Sequence, residues 1–125
     1  MSNSVKILDC TLRDGGYYTN WDFPSEVVKN YIFSMNNLPI DYIEIGYRNL
    51  PQKNYFGEFY YCPISTIEYI ISLTKKPLAI ILNERDINIS SLDSLLLSSS
   101  LLLTRLATTL VYSTHASLIY HLFVL

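Results

Sequence analysis

The chain has 125 residues, half of them hydrophobic and 16% charged, the size of one domain with a single core and too apolar for a disordered segment. Nine basic residues against eleven acidic ones leave a formal net charge of -2, so no long-range attraction for nucleic acid or for an anionic membrane surface is expected. Cys10 and Cys62 stand far apart without a CxxC spacing, which argues against a zinc site or a disulfide framework and for reduced thiols in a cytoplasm. Met1 to Lys6 lacks an apolar run behind a positive charge and is not read as a secretory signal, so a cytoplasmic protein is expected.

In chain order, Val5 to Cys10 is a short, mostly apolar run with β-branched residues that leads to Gly15-Gly16, and predicts a buried strand followed by a loop. Pro24 and Ser25 open a segment in which Val27, Val28, Tyr31, Ile32 and Met35 recur at helical spacing; Ser25 is the expected N-cap, with Glu26 in the first turn. Asn36-Asn37-Leu38-Pro39 ends that helix, and Tyr42 to Gly46 predicts a second strand. Tyr47 to Cys62 is a long loop rich in Tyr, Phe, Gly and Pro. Ile64, Ile67, Glu68 and Ile71 then place a second helix over Ile64 to Leu73, stopped by Lys75-Lys76-Pro77. Leu78 to Leu82 is an apolar run without alternation, as expected of a strand covered on both faces. Strands separated by ten-residue helices point to βαβ units and a parallel sheet.

Composition changes abruptly near Asp93, beyond which Arg105 is the only charge. Leu92 to Leu103 is a low-complexity Leu/Ser stretch whose apolar residues come in blocks, not on one helical face. Leu106 to Leu125 contains no charge and is just long enough to span a bilayer, but Thr108, Thr109, Ser113, Thr114, His115, Ser117 and His121 make it a poor span. No membrane association is expected, with a membrane anchor kept as an alternative for this segment.

Parallel α/β folds bind ligands at the carboxyl ends of their strands. The first strand delivers Asp9, Arg13, Asp14 and two glycines, the second Glu44, Gly46 and Arg48, the third Asn83, Glu84, Arg85 and Asp86. A hard divalent cation takes oxygen ligands, and Asp14 on a glycine-flanked loop suits one. Arg13 offers a planar fork of donors for a carboxylate or for a developing enolate oxygen, while Glu44 would orient a donor or a proton carrier. Each has a plainer reading. Asp14-Gly15-Gly16 also fits an ordinary turn, Glu44 an interior partner for a lysine or arginine, and Arg85 and Asp86 a solvated loop. The aromatic loop Tyr55 to Tyr61 fits either a substrate lid or packing over the helix ends. His115 and His121, six residues apart, do not share one helical face and make a poor ligand pair.

The run Asp9-Cys10-Thr11-Leu12-Arg13-Asp14-Gly15-Gly16 resembles the D-x-T-L-R-D-G signature of the DRE-TIM metallolyases. This is the HMGL-like, pyruvate carboxyltransferase-domain family of 4-hydroxy-2-oxovalerate aldolase, isopropylmalate and homocitrate synthases and 3-hydroxy-3-methylglutaryl-CoA lyase. Ile43-Glu44-Ile45-Gly46 is similar to that family's second-strand ending, and Gly16 to Phe23 with Tyr42 to Arg48 look nearest to the aldolase branch. The resemblance runs from Val5 to about Leu96. It implies a (β/α)8 TIM barrel that binds Mn²⁺ or Mg²⁺ and makes or breaks a carbon-carbon bond through a pyruvate-like enolate. By position Asp14 is then the metal ligand, and Arg13, Tyr17 and Glu44 are the catalytic residues. Arg13, Arg48 and Asn83 are the substrate-binding residues, for a small 2-oxo acid or its aldol adduct.

The chain departs from that pattern at three points. No His-x-His occurs to complete the metal site. Tyr17 stands where the aldolase branch has a histidine base, and an unperturbed tyrosine pKa near 10 makes it a different proton carrier. A closed barrel takes about 250 residues, whereas three strands precede the low-charge tail here. The expected architecture is therefore α/β, a partial barrel of three βα units over residues 1–96, followed at 97–125 by an apolar helical or irregular tail that is not family sequence, as a shifted reading frame or truncated gene would produce. The expected function is that of an N-terminal aldolase or lyase fragment, inactive alone. The alternative is a non-catalytic half-barrel that assembles with another chain and buries its sheet edges.

Overall fold

Alternation and helical spacing are local properties, and the elements they specify carry over into space with little change. The computed structural model describes residues 5–83, 106–112 and 118–124. In chain order these form β1 (Leu8–Asp9), α1 (Thr11–Thr19), α2 (Ser25–Asn36), β2 (Tyr42–Tyr47), α3 (Glu58–Tyr61), α4 (Ile64–Leu73), β3 (Leu78–Asn83), β4 (Leu106–Tyr112) and β5 (Leu118–Val124). The strands make one sheet in the order β1-β2-β3-β5-β4. Its first three members are parallel, with Leu8 opposite Tyr42 and Ile43 opposite Leu78.

The apolar positions spaced three and four apart are the ones that pack. Val28 and Ile32 of α2, Ile67 and Ile70 of α4, Ile43 and Ile45 of β2, and Leu78 and Ile80 of β3 belong to one buried cluster. Full burial of each such side chain contributes about 1.5 to 3 kcal/mol, so this cluster holds both helices to the sheet. The carboxyl ends of α2 and α4 are latched by Asn36, whose amide donates to Leu73 O (2.9 Å) and accepts from the Thr74 hydroxyl.

Four expectations are corrected. Ser25 is not the N-cap of α2: Pro24 holds that position without a side-chain cap bond, and its carbonyl accepts from Val28 N at 3.1 Å. Its ring restricts φ, here −55°, so proline enters the first turn without losing an N–H bond. The first strand is shorter than its apolar run, because Val5 and Ile7 lie at the surface and only Leu8 and Asp9 pair with β2. The loop expected at Asp14-Gly15-Gly16 is helix, as α1 runs through both glycines. The tail is not helical or irregular where it is described. β4 and β5 pair antiparallel, and β5 pairs antiparallel with β3, Ala79 opposite Phe123 and Asn83 opposite Ile119. Both segments are uncharged and rich in β-branched and aromatic residues, which favour strands, and β5 satisfies the edge groups of β3 that would otherwise lack partners. The sheet is open, and the described residues form no closed barrel. Among them no helix is long and apolar enough to cross a membrane. Glu84, Arg85, Asp86, His115 and the stretch Leu92 to Leu103 lie outside the described residues.

Asp41 takes over the work of the missing strand residues. Its carboxylate accepts from Ile7 N at 2.8 Å and from Lys6 Nζ at 3.0 Å, and its N–H donates to Ile7 O. The backbone bond from Ile7, then Lys6, hold the Asp41 carboxyl below its ordinary value of 3.8. A depressed acid contributes stability fully above its unfolded pKa and loses it as pH falls through the folded value. Urea midpoints measured between pH 6 and 2 should therefore fall more steeply in wild type than in Asp41→Asn below about pH 4. Parallel curves would remove Asp41 as a source of acid sensitivity.

Candidate active site

Helix α1 crosses the carboxyl end of β1 because Asp9 starts it. The Asp9 carboxylate accepts from Thr11 N at 3.0 Å and from the Thr11 hydroxyl at 3.2 Å, an Asx-type start to a helix. Tyr31 of α2 donates to the same carboxylate, so the strand, both helices and the start of the motif are tied together. Burial, then the bond to Asp9, push the Tyr31 hydroxyl well above its ordinary value. Asp9 is thereby committed to structure. Gly15 and Gly16 serve the helix through space, not through a turn. A Cβ on Gly16 would lie 2.0 Å from the Trp21 indole, so only glycine lets the ring lie on the helix. The indole N–H donates to Arg13 O at 3.0 Å, and the chain reverses through Asn20 and Trp21 at φ 55° and 57°, conformations non-glycine residues rarely adopt.

One turn into α1, Arg13 reaches back over β2. Its Nε donates to Glu44 Oε1 and its Nη1 to Asp14 Oδ1, each at 2.6 Å. Exposure falls steeply along this line, with the Asp14 side chain 63% exposed, Arg13 23% and Glu44 0%. Burial opposes the Arg13 charge, but the hydrogen bond and negative charge of Glu44 outweigh it and raise its pKa further. Arg13 is therefore a fixed cation with five N–H donors, more than its two carboxylates take. Cys10, half-buried beside it, is pushed up by burial and by the charge of Glu44, and stays a thiol.

Tyr17, one turn beyond Arg13, is 63% exposed, and its hydroxyl lies 2.9 Å from that of Tyr47. Tyr47 did not emerge from the sequence pattern, which placed it at the start of the long loop, whereas it is the last residue of β2. The register sets the face it takes. Glu44 pairs with Ala79 and Gly46 with Ile80, so Ile45 is an extra residue, and Tyr47 pairs with Ile81. A bulge of this kind turns the rest of the strand over by one position and brings Tyr47 to the face of Glu44. The Arg13 charge acts on the Tyr47 hydroxyl, so Arg13, Asp14, Tyr17, Glu44 and Tyr47 form one cluster. Trp21 meets Tyr17 and Tyr47 edge-on at 4.7 and 5.6 Å between ring centres.

Arg48 is not brought to that cluster. Its Nη1 donates to Cys62 O at 2.6 Å, capping α3, and burial lowers its pKa. Asn83 is the last residue of β3. The aromatic loop packs down: Gly57 N donates to Asn20 O (2.8 Å), Phe59 N to Trp21 O (3.3 Å), and Phe56 stacks on Tyr60 at 4.1 Å.

The expected divalent ion does not fit these residues taken alone. Six or more oxygens, water included, surround Mg²⁺ or Ca²⁺-like ions, whereas Asp14 offers one carboxylate already bonded to Arg13. Among the described residues no group of three His, Cys, Asp or Glu side chains is placed to hold a metal.

The chain has a relative of known structure. Among solved structures it matches the N-terminal domain of a putative aldolase from Bacteroides vulgatus, with 56% sequence identity and a TM-score of 0.68 over 74% of this chain. The chain resembles an aldolase-like N-terminal domain. It spans 31% of the length of that solved chain. No family model and no curated protein matches it.

Proposed function

We propose that the chain is part of an aldolase-like lyase that forms or cleaves a carbon-carbon bond through a pyruvate-like enolate. The observation that carries the reading is the Arg13 guanidinium, held by buried Glu44 at the carboxyl ends of parallel strands, in a chain 56% identical to an aldolase-like domain. A fixed cation there stabilises the negative oxygen of an enolate or binds the carboxylate of a 2-oxo acid. Glu44 acts through Arg13 by fixing its fork, and Tyr17 is the exposed proton carrier beside it. Arg48 supports the loop under the site, and Asn83 ends the neighbouring strand. Asp14 is the contribution of this chain to a Mn²⁺ or Mg²⁺ site whose other ligands come from outside the described residues. Residues 1–96 form the aldolase-like part, and the break in composition near Asp93 sets 97–125 apart as a tail of different origin.

Oxalate, which has the charge and shape of the pyruvate enolate, tests the assignment. Calorimetric titration of the chain with oxalate in the presence of Mn²⁺ should give binding heat that is reduced at least tenfold in affinity in Arg13→Ala, the loss of about 1.5 to 3 kcal/mol expected of a charged hydrogen bond, and lowered in Asp14→Ala. If all three chains bind alike, or none binds, the assignment fails.

A second reading, a half-barrel that pairs with another chain, is favoured by β4, an edge strand of seven residues with no partner beyond it among the described strands. A specific oligomer that binds no oxalate would select it.

A further inference from the structure

We propose that Tyr47 is a positioning residue, whose hydroxyl bonds to that of Tyr17 and holds that phenol beside Arg13 as the proton-transferring group. The proposal rests on the reading of Tyr17 as proton carrier and deepens it by naming what orients it. The geometry comes first. The two oxygens are 2.9 Å apart, and both rings lean edge-on against Trp21, which is itself fixed by its bond to Arg13 O and by its seat on Gly16. Tyr47 is therefore placed by the strand bulge and Tyr17 by the helix, and their hydroxyls meet at the boundary between core and solvent.

The surroundings divide the roles of the two phenols. Tyr47 is half-buried, and burial, then its bond to Tyr17, push its hydroxyl above the ordinary tyrosine value, against the smaller effect of Arg13. Tyr47 thus keeps its proton, and Tyr17, the more exposed of the two at 63%, is the one that substrate can reach. In the proposed step the Tyr17 O–H bond breaks, and its proton goes to the enolate carbon. The electron pair of the enolate C=C forms the new C–H bond and the carbonyl is restored. The electron pair left on the Tyr17 oxygen accepts the Tyr47 hydrogen bond, and the reverse step returns the proton. Without Tyr47 the phenolate loses its donor and the ring its fixed orientation, yet the substrate-binding cation remains.

Two measurements on the full chain decide the proposal. In tyrosine labelled with carbon-13 at Cζ, Tyr47 should titrate lower in Tyr17→Phe than in wild type, because burial persists while the bond and the neighbouring oxygen are gone. An unmoved Tyr47 titration overturns the coupling. In the second, deuterium exchange into the methyl group of pyruvate in D2O with Mn²⁺ should slow about tenfold in Tyr47→Phe, the scale of one lost hydrogen bond, with oxalate affinity unchanged. Equal exchange rates in wild type and Tyr47→Phe overturn the positioning role. Absence of exchange in wild type overturns the proton-transfer half of the proposal for this chain, while the titration still reports whether the hydroxyls are coupled and oxalate binding still tests the lyase reading.

Discussion

Alanine at position 46 should destabilise the chain by on the order of 4 kcal/mol. Gly46 lies in β2 at φ 157°, and a Cβ built there would sit 2.0 Å from the Phe59 carbonyl oxygen and 3.2 Å from Cys62 Sγ. Phe59 O is backbone, so no rotamer change relieves the overlap. α3 would have to move, and with it Cys62 O, which receives Arg48. Overpacking costs about 1 to 3 kcal/mol and a strained φ a further 1 to 3, together on the order of 4 kcal/mol against a total stability of about 5 to 15. Guanidinium unfolding followed by far-ultraviolet circular dichroism measures the loss. Gly15→Ala supplies the contrast. Its Cβ would meet only the Phe23 ring at 3.8 Å, an ordinary contact, and α1 is helical there, so alanine should stabilise by about 0.5 to 1 kcal/mol. A midpoint for Gly46→Ala equal to wild type would show that β2 and α3 do not approach this closely.

The second large effect belongs to the Arg13–Glu44 pair. Glu44→Ala should destabilise by roughly 3 kcal/mol, since removing one member of a buried pair leaves the other charge without compensation. Arg13 retains 23% exposure, which places the expected cost at the lower end of that range. The informative variant replaces both, Arg13→Met with Glu44→Leu. Apolar substitution of a whole buried pair is often neutral or stabilising, so the double variant should recover most of the stability lost by the single one and still fail to bind oxalate. Such a result separates the two roles that the sequence leaves open for Glu44, interior partner of an arginine and support for a substrate-binding cation. A double variant that binds oxalate as wild type does would reduce the pair to a structural element.

The contrast between these sites shows which parts of the molecule were legible in one dimension. α4 runs from Ile64 to Leu73 as its spacing predicts, and β2 and β3 differ from their expected spans by one residue, because burial of a helical stripe or a continuous apolar strand is written in neighbouring residues. Arg13, Asp14 and Glu44 could likewise be picked out as candidates through the Asp9–Gly16 motif and the end of β2, and the structure joins them by hydrogen bonds. α1 was not, since a glycine pair reads locally as a turn. The pair is retained in helix because the Asp9 carboxylate holds Thr11 N at the helix start and Trp21 lies on Gly16. Arg48 stood at a strand end, yet its guanidinium serves the Cys62 carbonyl fourteen residues on, a partner no spacing rule selects.

Sequence by itself determined the three parallel strands, the helices α2 and α4 and the charged residues of the first motif, because each depends on side chains a few positions apart. Only the tertiary structure decided which residues share the site. An extra residue at Ile45 turned Tyr47 toward Glu44, and β5 came to rest on β3 in a tail expected to be helical or irregular. Both outcomes depend on hydrogen-bond register between strands distant in sequence, where one added residue exchanges one face of a sheet for the other.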